Sequence, residues 1–438
     1  MKNTKNFISY ISLFILIVLI LIPAFILYTK FYIGDFFNSP TMTMWHLGKL
    51  TGLIGLSTFA FTLFLSSRFV WLDKLFYGLP KVINIHRWLG VISFTLILLH
   101  PLLLAFRLLP VSPQAPLSIF VIWSEAAYVF GYISILIFMV LIIMTFFWRL
   151  NYEKLKSLHS LLAVPLMLGG VHGILIDSDI KNIPGLAIYY IVIISISTLL
   201  YLARLFLVNY GIKAQKFTIE KIDQASKNTW QISLKPNKKN IPCQAGQFVF
   251  VSFPDIKKNE EHPFSIASIE NDGRITIITK SLGDYTAKMA NLKIGNLAMV
   301  DGAYGRFGDN ADKNCHQIWI AGGIGITPFI SMAKNFAEDQ KSQGQVDLFY
   351  ITASENDLVG LNILQELATN CPRFKLNTYI SDKEGRFDIG KLKYFVGSID
   401  NCHFYICGPQ GMMKYFVNTL KKNNIPNKNI NIEAFQLL

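Results

Sequence analysis

The chain has 438 residues, 52% of them hydrophobic, and a mean hydropathy of +0.38. That is too apolar for an ordinary soluble protein of this size, so membrane spans and a lipid bilayer partner are expected. The formal charge of +13 reads as loop charge that orients those spans, and without a basic recognition helix it does not point to nucleic acid.

The apolar character is uneven. Residues 1–210 hold 6 of the 28 acidic residues, and residues 211–438 read as soluble, so the chain divides near Tyr210. All five cysteines (Cys243, Cys315, Cys371, Cys402 and Cys407) lie in the soluble half without a CxxC pair. This fits a reducing cytosol and argues against a disulfide framework or a zinc site.

Six apolar segments of spanning length occur at about 7–28, 45–66, 84–106, 122–148, 155–176 and 184–208. The first follows Lys2 and Lys5 without a small-residue cleavage site and reads as a retained span. Alternate loops sort by charge. One set carries Lys2, Lys5, Arg68, Lys74, Lys81, Arg149, Lys154, Lys156, Lys213 and Lys216; the other carries Lys30, Arg107 and Lys181. The richer set should face the cytoplasm, which places both termini and the soluble half inside a cell-membrane protein.

The third and fifth segments each carry two histidines, His86 with His100 and His159 with His172. The spacings are fourteen and thirteen residues, or about 20 Å of helix, most of the depth of a bilayer core. Fourteen residues return to within about 40° of the same face, whereas thirteen leave about 140°. A bend at Pro165, Gly169 and Gly170 is expected to make up the difference. Intramembrane polar groups are costly and usually functional. Two imidazoles per level suit two six-coordinate haems; zinc wants four close ligands. The competing reading is histidines hydrogen-bonded between helices. Arg87 is read either as a partner of an inner haem propionate or as a loop charge. Lys49 is read either as snorkelling or as a cation that binds an outer propionate or draws in an anionic acceptor. His46 reads as a surface residue.

Residues 211–312 alternate as short strands (FTIEKI, TWQISL, GQFVFVSF, RITIITK, NLAMVDG), the pattern of a small antiparallel barrel. Within them lies His262-Pro263-Phe264-Ser265-Ile266-Ala267-Ser268, where Phe264 offers an aromatic face and Ser265 a hydroxyl to a flavin. Gly283-Asp284-Tyr285-Thr286 reads as a helix start whose N–H groups and Thr286 hydroxyl meet a pyrophosphate. Residues 313–438 alternate strands and helices as an α/β nucleotide-binding domain. Gly322, Gly323 and Gly325 sit in a strand–turn–helix that lets phosphate approach the backbone. Cys407-Gly408-Pro409 ends a later strand, where a nicotinamide contact is expected. The second strand leads into Ser354, suited to a 2′-phosphate, and Glu355, suited to a ribose diol; with Arg386 as a further candidate cation, NADPH is the expected nucleotide.

These residues resemble the NADPH oxidase and ferric reductase superfamily, in a compact bacterial-type form. The resemblance rests on the two histidine spacings, HPFSIAS at 262–268, GDYT at 283–286, AGGIGITPF at 321–329, CGP at 407–409 and EAF at 433–435. It implies a six-helix membrane bundle with two haem b groups, followed by a flavin barrel and a nucleotide domain that bind FAD and NAD(P)H. Carried over, His86 and His159 would hold the inner haem, and His100 and His172 the outer. His262 to Ser265 would hold the flavin ring. Gly322 to Pro328, Thr327 included, would hold the dinucleotide phosphates. Cys407 would lie near the nicotinamide, and Phe435 would cover the flavin. Four departures are visible. GAYG at 302–305 replaces GPYG, and Gln-Leu-Leu follows Phe435. Lys49 stands where superoxide-forming oxidases usually carry arginine, and Leu104 where several carry another histidine. A transmembrane oxidoreductase is therefore expected, with ferric chelates as first-choice acceptor, oxygen reduced to superoxide as the alternative, and a quinone or an external protein behind them. No nucleophile is expected, nor any catalytic group beyond the electron-relay ligands. A haem-binding sensor or cytochrome subunit without turnover is the reading from another class.

Overall fold

The computed structural model describes residues 2–30, 36–121, 125–147, 152–176, 179–209, 214–238, 240–258, 260–308, 314–339 and 343–433. Phe435, the boundary at Tyr210, and the side chains of Lys2, Lys5, Lys30, Arg149 and Lys213 lie outside the described residues. The chain separates into two units, Asn3–Phe206 and Leu207–Leu438.

Among the described residues of the first unit, six helical segments are long and apolar enough to cross a membrane. The second span, Pro40–Ser66, starts five residues earlier than its apolar run. Ser39 caps it by accepting from the Met42 N–H, and Pro40 occupies the first turn. The third, Leu79–Phe106, also starts five residues early, because the buried Asp73 carboxylate accepts the otherwise orphaned N–H of Leu79 at 2.7 Å. The first, fourth and sixth spans are Lys2–Lys30, Ala126–Phe147 and Pro184–Asn209.

The fifth span departs from expectation. It is two helices, Tyr152–Ser160 and Ala163–Leu175. Tight i→i+3 bonds run through the joint, from Leu161 N to Leu158 O, Leu162 N to His159 O and Val164 N to Leu161 O. Pro165 is the cause: it has no N–H for the Leu161 carbonyl, and its ring crowds that carbonyl. The expected bend is therefore a break one turn before Pro165, not a kink at Gly169 and Gly170. The thirteen-residue spacing between His159 and His172 is no longer a count along one ideal helix, and the angular mismatch disappears.

The second unit opens with a closed barrel, β1 (Gln215–Ser226), β2 (Thr229–Pro236), β3 (Phe248–Ser252), β4 (His262–Ile269), β5 (Ile275–Lys280) and β6 (Leu297–Tyr304), in the order β1-β2-β5-β4-β3-β6. Five strands are visible in the alternation; the sixth is HPFSIASI itself. A parallel sheet follows, β7 (Gln317–Gly322), β8 (Val346–Thr352), β9 (Phe374–Ile380), β10 (His403–Cys407) and β11 (Ile430–Glu433), ordered β11-β10-β7-β8-β9. Six apolar helical segments, a closed antiparallel barrel and an α/β domain thus follow one another along the described residues.

The amino ends of β7, β8 and β10 are tied together by one polar cluster. His316 Nε2 lies 2.5 Å from Asp347 Oδ2, and Cys402 Sγ lies 3.6 Å from His316 Nδ1. Hydrogen bonding to Asp347, and secondly to Cys402, lifts the His316 pKa to about 9 against the opposing effect of burial. The folded pKa exceeds the unfolded one, so the stabilisation is complete below pH 6.5 and is lost as pH rises through 9. Full-length protein is expected to lose about 2 kcal/mol of nucleotide-domain stability over that window, after allowance for solvent screening. The His316→Gln protein should show a flatter profile in thermal unfolding between pH 6 and 9.5. Parallel profiles for the two proteins would exclude the pair as the source.

Candidate functional site

The four membrane histidines form two pairs. The ring centres of His86 and His159 are 6.0 Å apart, and those of His100 and His172 are 6.5 Å apart. An iron bonded by two imidazoles at about 2 Å each holds their ring centres roughly 6 Å apart. Three of the four rings are oriented by backbone. His86 Nδ1 lies 2.9 Å from Thr62 O, His100 Nδ1 2.7 Å from Gly48 O, and His172 Nδ1 2.7 Å from Ala127 O. A carbonyl can only accept, so Nδ1 carries the proton and Nε2 keeps its lone pair for a metal. The residues fit two bis-imidazole haems, stacked about 20 Å apart along the continuous third helix.

Glycine makes these ring positions possible. A Cβ on Gly52 would lie 2.6 Å from His100 Nδ1, and one on Gly131 would lie 2.8 Å from His172 Nδ1. Neither glycine stands out in the sequence; small residues at close helix contacts are the signal that would have found them. Arg87 is exposed. Lys49 is engaged: its Nζ lies 3.0 Å from Asp179 Oδ2 and 4.5 Å from the centre of the Trp45 ring, which Arg107 also approaches at 5.1 Å. Asp179, at the start of the short helix Asp179–Asn182 before the sixth span, is a partner that sequence reasoning missed, because 130 residues separate the two.

On the barrel, β4 corrects the expectation for Phe264. Adjacent strand residues face opposite sides. Phe264 packs in the barrel core with Ile266, so it does not share a flavin-facing surface with Ser265. On the other face Ala267 packs against the Trp319 and Phe329 core of the nucleotide domain. The partly exposed aromatic ring of β4 is that of His262, at the start of the strand, which stacks on Tyr285 at 3.9 Å. That contact joins the HPFS and GDYT motifs. Tyr285 is anchored by accepting from the Phe253 N–H, and His262 by Glu260 at 2.7 Å. Burial alone would raise the Glu260 carboxyl, but hydrogen bonds from Lys257 and His262 hold it below its usual range. Pro263 lies beside His262 at the start of β4. Ser268 is occupied, donating to Glu270 and accepting from Lys334. The Thr286 hydroxyl caps its own turn, accepting from the N–H groups of Leu282 and Gly283, while the space above Gly283 is open.

In the nucleotide domain the glycine turn and the CGP segment meet. Ala321 and Cys407 are register partners on β7 and β10, so both segments leave the sheet at the carboxyl ends of adjacent strands. This is where parallel sheets bind ligands. Gly322, Gly323 and Gly325 lead into the helix Thr327–Glu338, with Pro328 in its first turn and the buried Thr327 donating to Ile324 O. A Cβ on Gly325 would lie 2.4 Å from Cys407 O. Gly408 and Pro409 pack against Gly322. Cys407 itself is fully buried, and burial pushes its thiol pKa well above the usual value. The thiol is a core group in this state, and a ligand here would meet Gly408 backbone. Ser354 hydrogen-bonds Asp357, Glu355 pairs with Lys383, and Arg386 stacks over Tyr415.

Three family models match in chain order: "Ferric reductase like transmembrane component" over residues 51–170, "FAD-binding domain" over 214–320 and "Oxidoreductase NAD-binding domain" over 319–418. The chain belongs to the ferric reductase and NADPH oxidase superfamily. Its members among curated proteins include a superoxide-generating NADPH oxidase heavy chain of Dictyostelium discoideum, 24% identical over 50% of this chain and 33% of that protein. The chain is also similar to the plasma membrane-associated coenzyme Q6 reductase PGA3 of Saccharomyces cerevisiae, 26% identical over 43% of this chain and 64% of that protein. The electron transfer component of dihydroorotate dehydrogenase B from Streptococcus mutans is 31% identical over 41% of this chain and 68% of that protein. The chain thus spans between a third and about two thirds of the length of these relatives. Within the superfamily it combines a multi-pass membrane unit with FAD- and NAD(P)-binding domains.

Proposed function

We propose that this protein is a transmembrane oxidoreductase that moves electrons from cytosolic NAD(P)H to an acceptor outside the membrane, with ferric chelates as the preferred acceptor. The observation that carries the reading is the pair of imidazole couples at 6.0 and 6.5 Å, one above the other in the helical unit. Flavin supplies conversion of a hydride into single electrons, and haem supplies a one-electron path across the bilayer.

The chain's own residues do the positioning. His86 and His159 would hold the inner haem, and His100 and His172 the outer, with the Thr62, Gly48 and Ala127 carbonyls fixing the tautomers. Pro263 and Ser265, on the side of β4 away from the barrel core, would face the flavin, and His262 at the start of the strand is buttressed by Tyr285. Gly322 to Pro328 receive the dinucleotide phosphates, and Gly408 and Pro409 border the nicotinamide end. The basic segments Arg68–Lys81 and Lys154–Lys156 support a cytoplasmic placement of that end, and of the second unit with it.

Oxygen is the second reading, suggested by the name of the Dictyostelium relative. Leu104, seated on Gly48, and Lys49, neutralised by Asp179, argue for the ferric reading. The deciding experiment is anaerobic: the haem- and FAD-loaded protein is reduced with NADPH, then mixed separately with ferric chelate and with oxygen. Both haem bands should appear within turnover time and bleach faster with ferric chelate. Faster bleaching by oxygen with superoxide release would make it an oxidase. Bound haem that NADPH never reduces would leave the sensor or cytochrome reading.

A further inference from the structure

The ion pair between Lys49 and Asp179 lies within one peptide of the outer histidine pair. His100 Nδ1 is held by the carbonyl of Gly48, the residue before Lys49. Both side chains are largely withdrawn from solvent, Lys49 at 16% and Asp179 at 7% exposure. They come from different elements, the second span and the short helix Asp179–Asn182 before the sixth. A buried pair of this kind seldom adds much stability over an apolar pair, so its presence calls for another role. The rest of that end is balanced too. Under the loop-charge topology its cations are Lys30, Lys49, Arg107 and Lys181, and its carboxylates are Asp35, Glu125, Asp177 and Asp179, four of each. An end that attracted anionic chelates would need a surplus of cations.

We infer that Asp179 is a specificity-determining residue: by cancelling the charge of Lys49 beside the outer histidine pair, it makes the external end take acceptors without net negative charge. The acceptor class is then a neutral ferric complex rather than a polyanionic one. This rests on the outer pair being the electron exit.

The test uses the full-length, haem-loaded protein with its haems reduced chemically by dithionite, so that the flavin half plays no part. Bleaching rates are measured with ferricyanide (an anion), hexaammineruthenium(III) (a cation) and neutral ferric maltolate. One uncompensated unit charge about 10 Å from a trivalent ion changes its local concentration about fivefold at low ionic strength, about 0.01 M. Asp179→Asn should therefore raise the ferricyanide rate about fivefold, lower the hexaammineruthenium rate by a similar factor and leave ferric maltolate unchanged. The ferricyanide rate should also become steeper in ionic strength. Lys49→Met should do the reverse. Lys49→Met/Asp179→Asn, which buries no unpaired charge and guards against misfolding of the single variants, should return the ratio to that of the natural protein. A second readout is the midpoint potential of the outer haem, expected to rise in Asp179→Asn and fall in Lys49→Met. Equal changes with all three oxidants, or an anion-to-cation ratio that no variant moves, would overturn the inference. Failure to bind two haems in the natural protein would instead remove the reading it rests on.

Discussion

The His100→Ala protein is expected to hold one haem instead of two and to lose electron delivery to external acceptors by about 100-fold or more, the scale on which ligand-shell changes act in metal sites. His100 is half of the outer pair, with its Nδ1 fixed by Gly48 O at 2.7 Å and its ring centre 6.5 Å from that of His172. Alanine leaves one imidazole at that level, and neither Gly52 nor Gly48 carries a side chain to replace it. The inner pair sits about 20 Å away along the helix and should be untouched. NADPH should still reduce the remaining haem, and the reduced band should persist when ferric chelate is added. His172→Ala should behave alike, while His86→Ala should lose the inner haem and leave the outer one unreduced by NADPH. The measurements are the haem-to-protein ratio and single-turnover absorbance. Loss of one haem with external reduction undiminished would show that electrons do not leave through this pair.

How legible this was varies by element. The six spans were plain because an apolar run of bilayer length leaves little alternative. Their starts were not, since they depend on capping contacts: Asp73 reaches the N–H of Leu79 from a separate short helix. The four histidines were found by depth, but what holds them was hidden, because Thr62, Gly48 and Ala127 contribute only carbonyls and any residue has one. Pro165 was recognised as a disruptor, and its effect was displaced by a turn because a proline disturbs the carbonyl four residues before it. In the barrel, HPFSIAS was visible as a motif but its facing was not. Only the ladder pairing Phe248 with Ser265 and Val249 with Phe264 shows which residue turns inward. Two strands were missed for opposite reasons: β9 is polar at alternate positions near the sheet edge, and β11 is only four residues long. Asp179 carries no local signal at all, since its meaning comes from a contact across 130 residues.

The glycine turn gives the second large effect, because its two central glycines should answer differently to the same change. At Gly325 an added methyl would meet backbone, 2.4 Å from Cys407 O, 2.6 Å from Cys407 C and 2.8 Å from Gly408 Cα. No side chain can rotate away, so the β7 turn and the CGP segment must separate. Overpacking against a fixed wall costs about 3 kcal/mol. If the same seam cradles the dinucleotide, NADPH affinity should fall about 100-fold, the equivalent of that energy. At Gly323 the surroundings are open and only the backbone objects, at a φ of +54°. Alanine there costs about 1 kcal/mol and should weaken NADPH no more than about fivefold. Calorimetric titration of NADPH into the FAD-loaded protein, with thermal unfolding alongside, separates the two contributions. Near-natural NADPH affinity in Gly325→Ala would mean the nucleotide does not lie across this seam. A Gly323→Ala protein that folds normally yet loses binding altogether would mean that the phosphates lie directly over Gly323, in the space a methyl would fill.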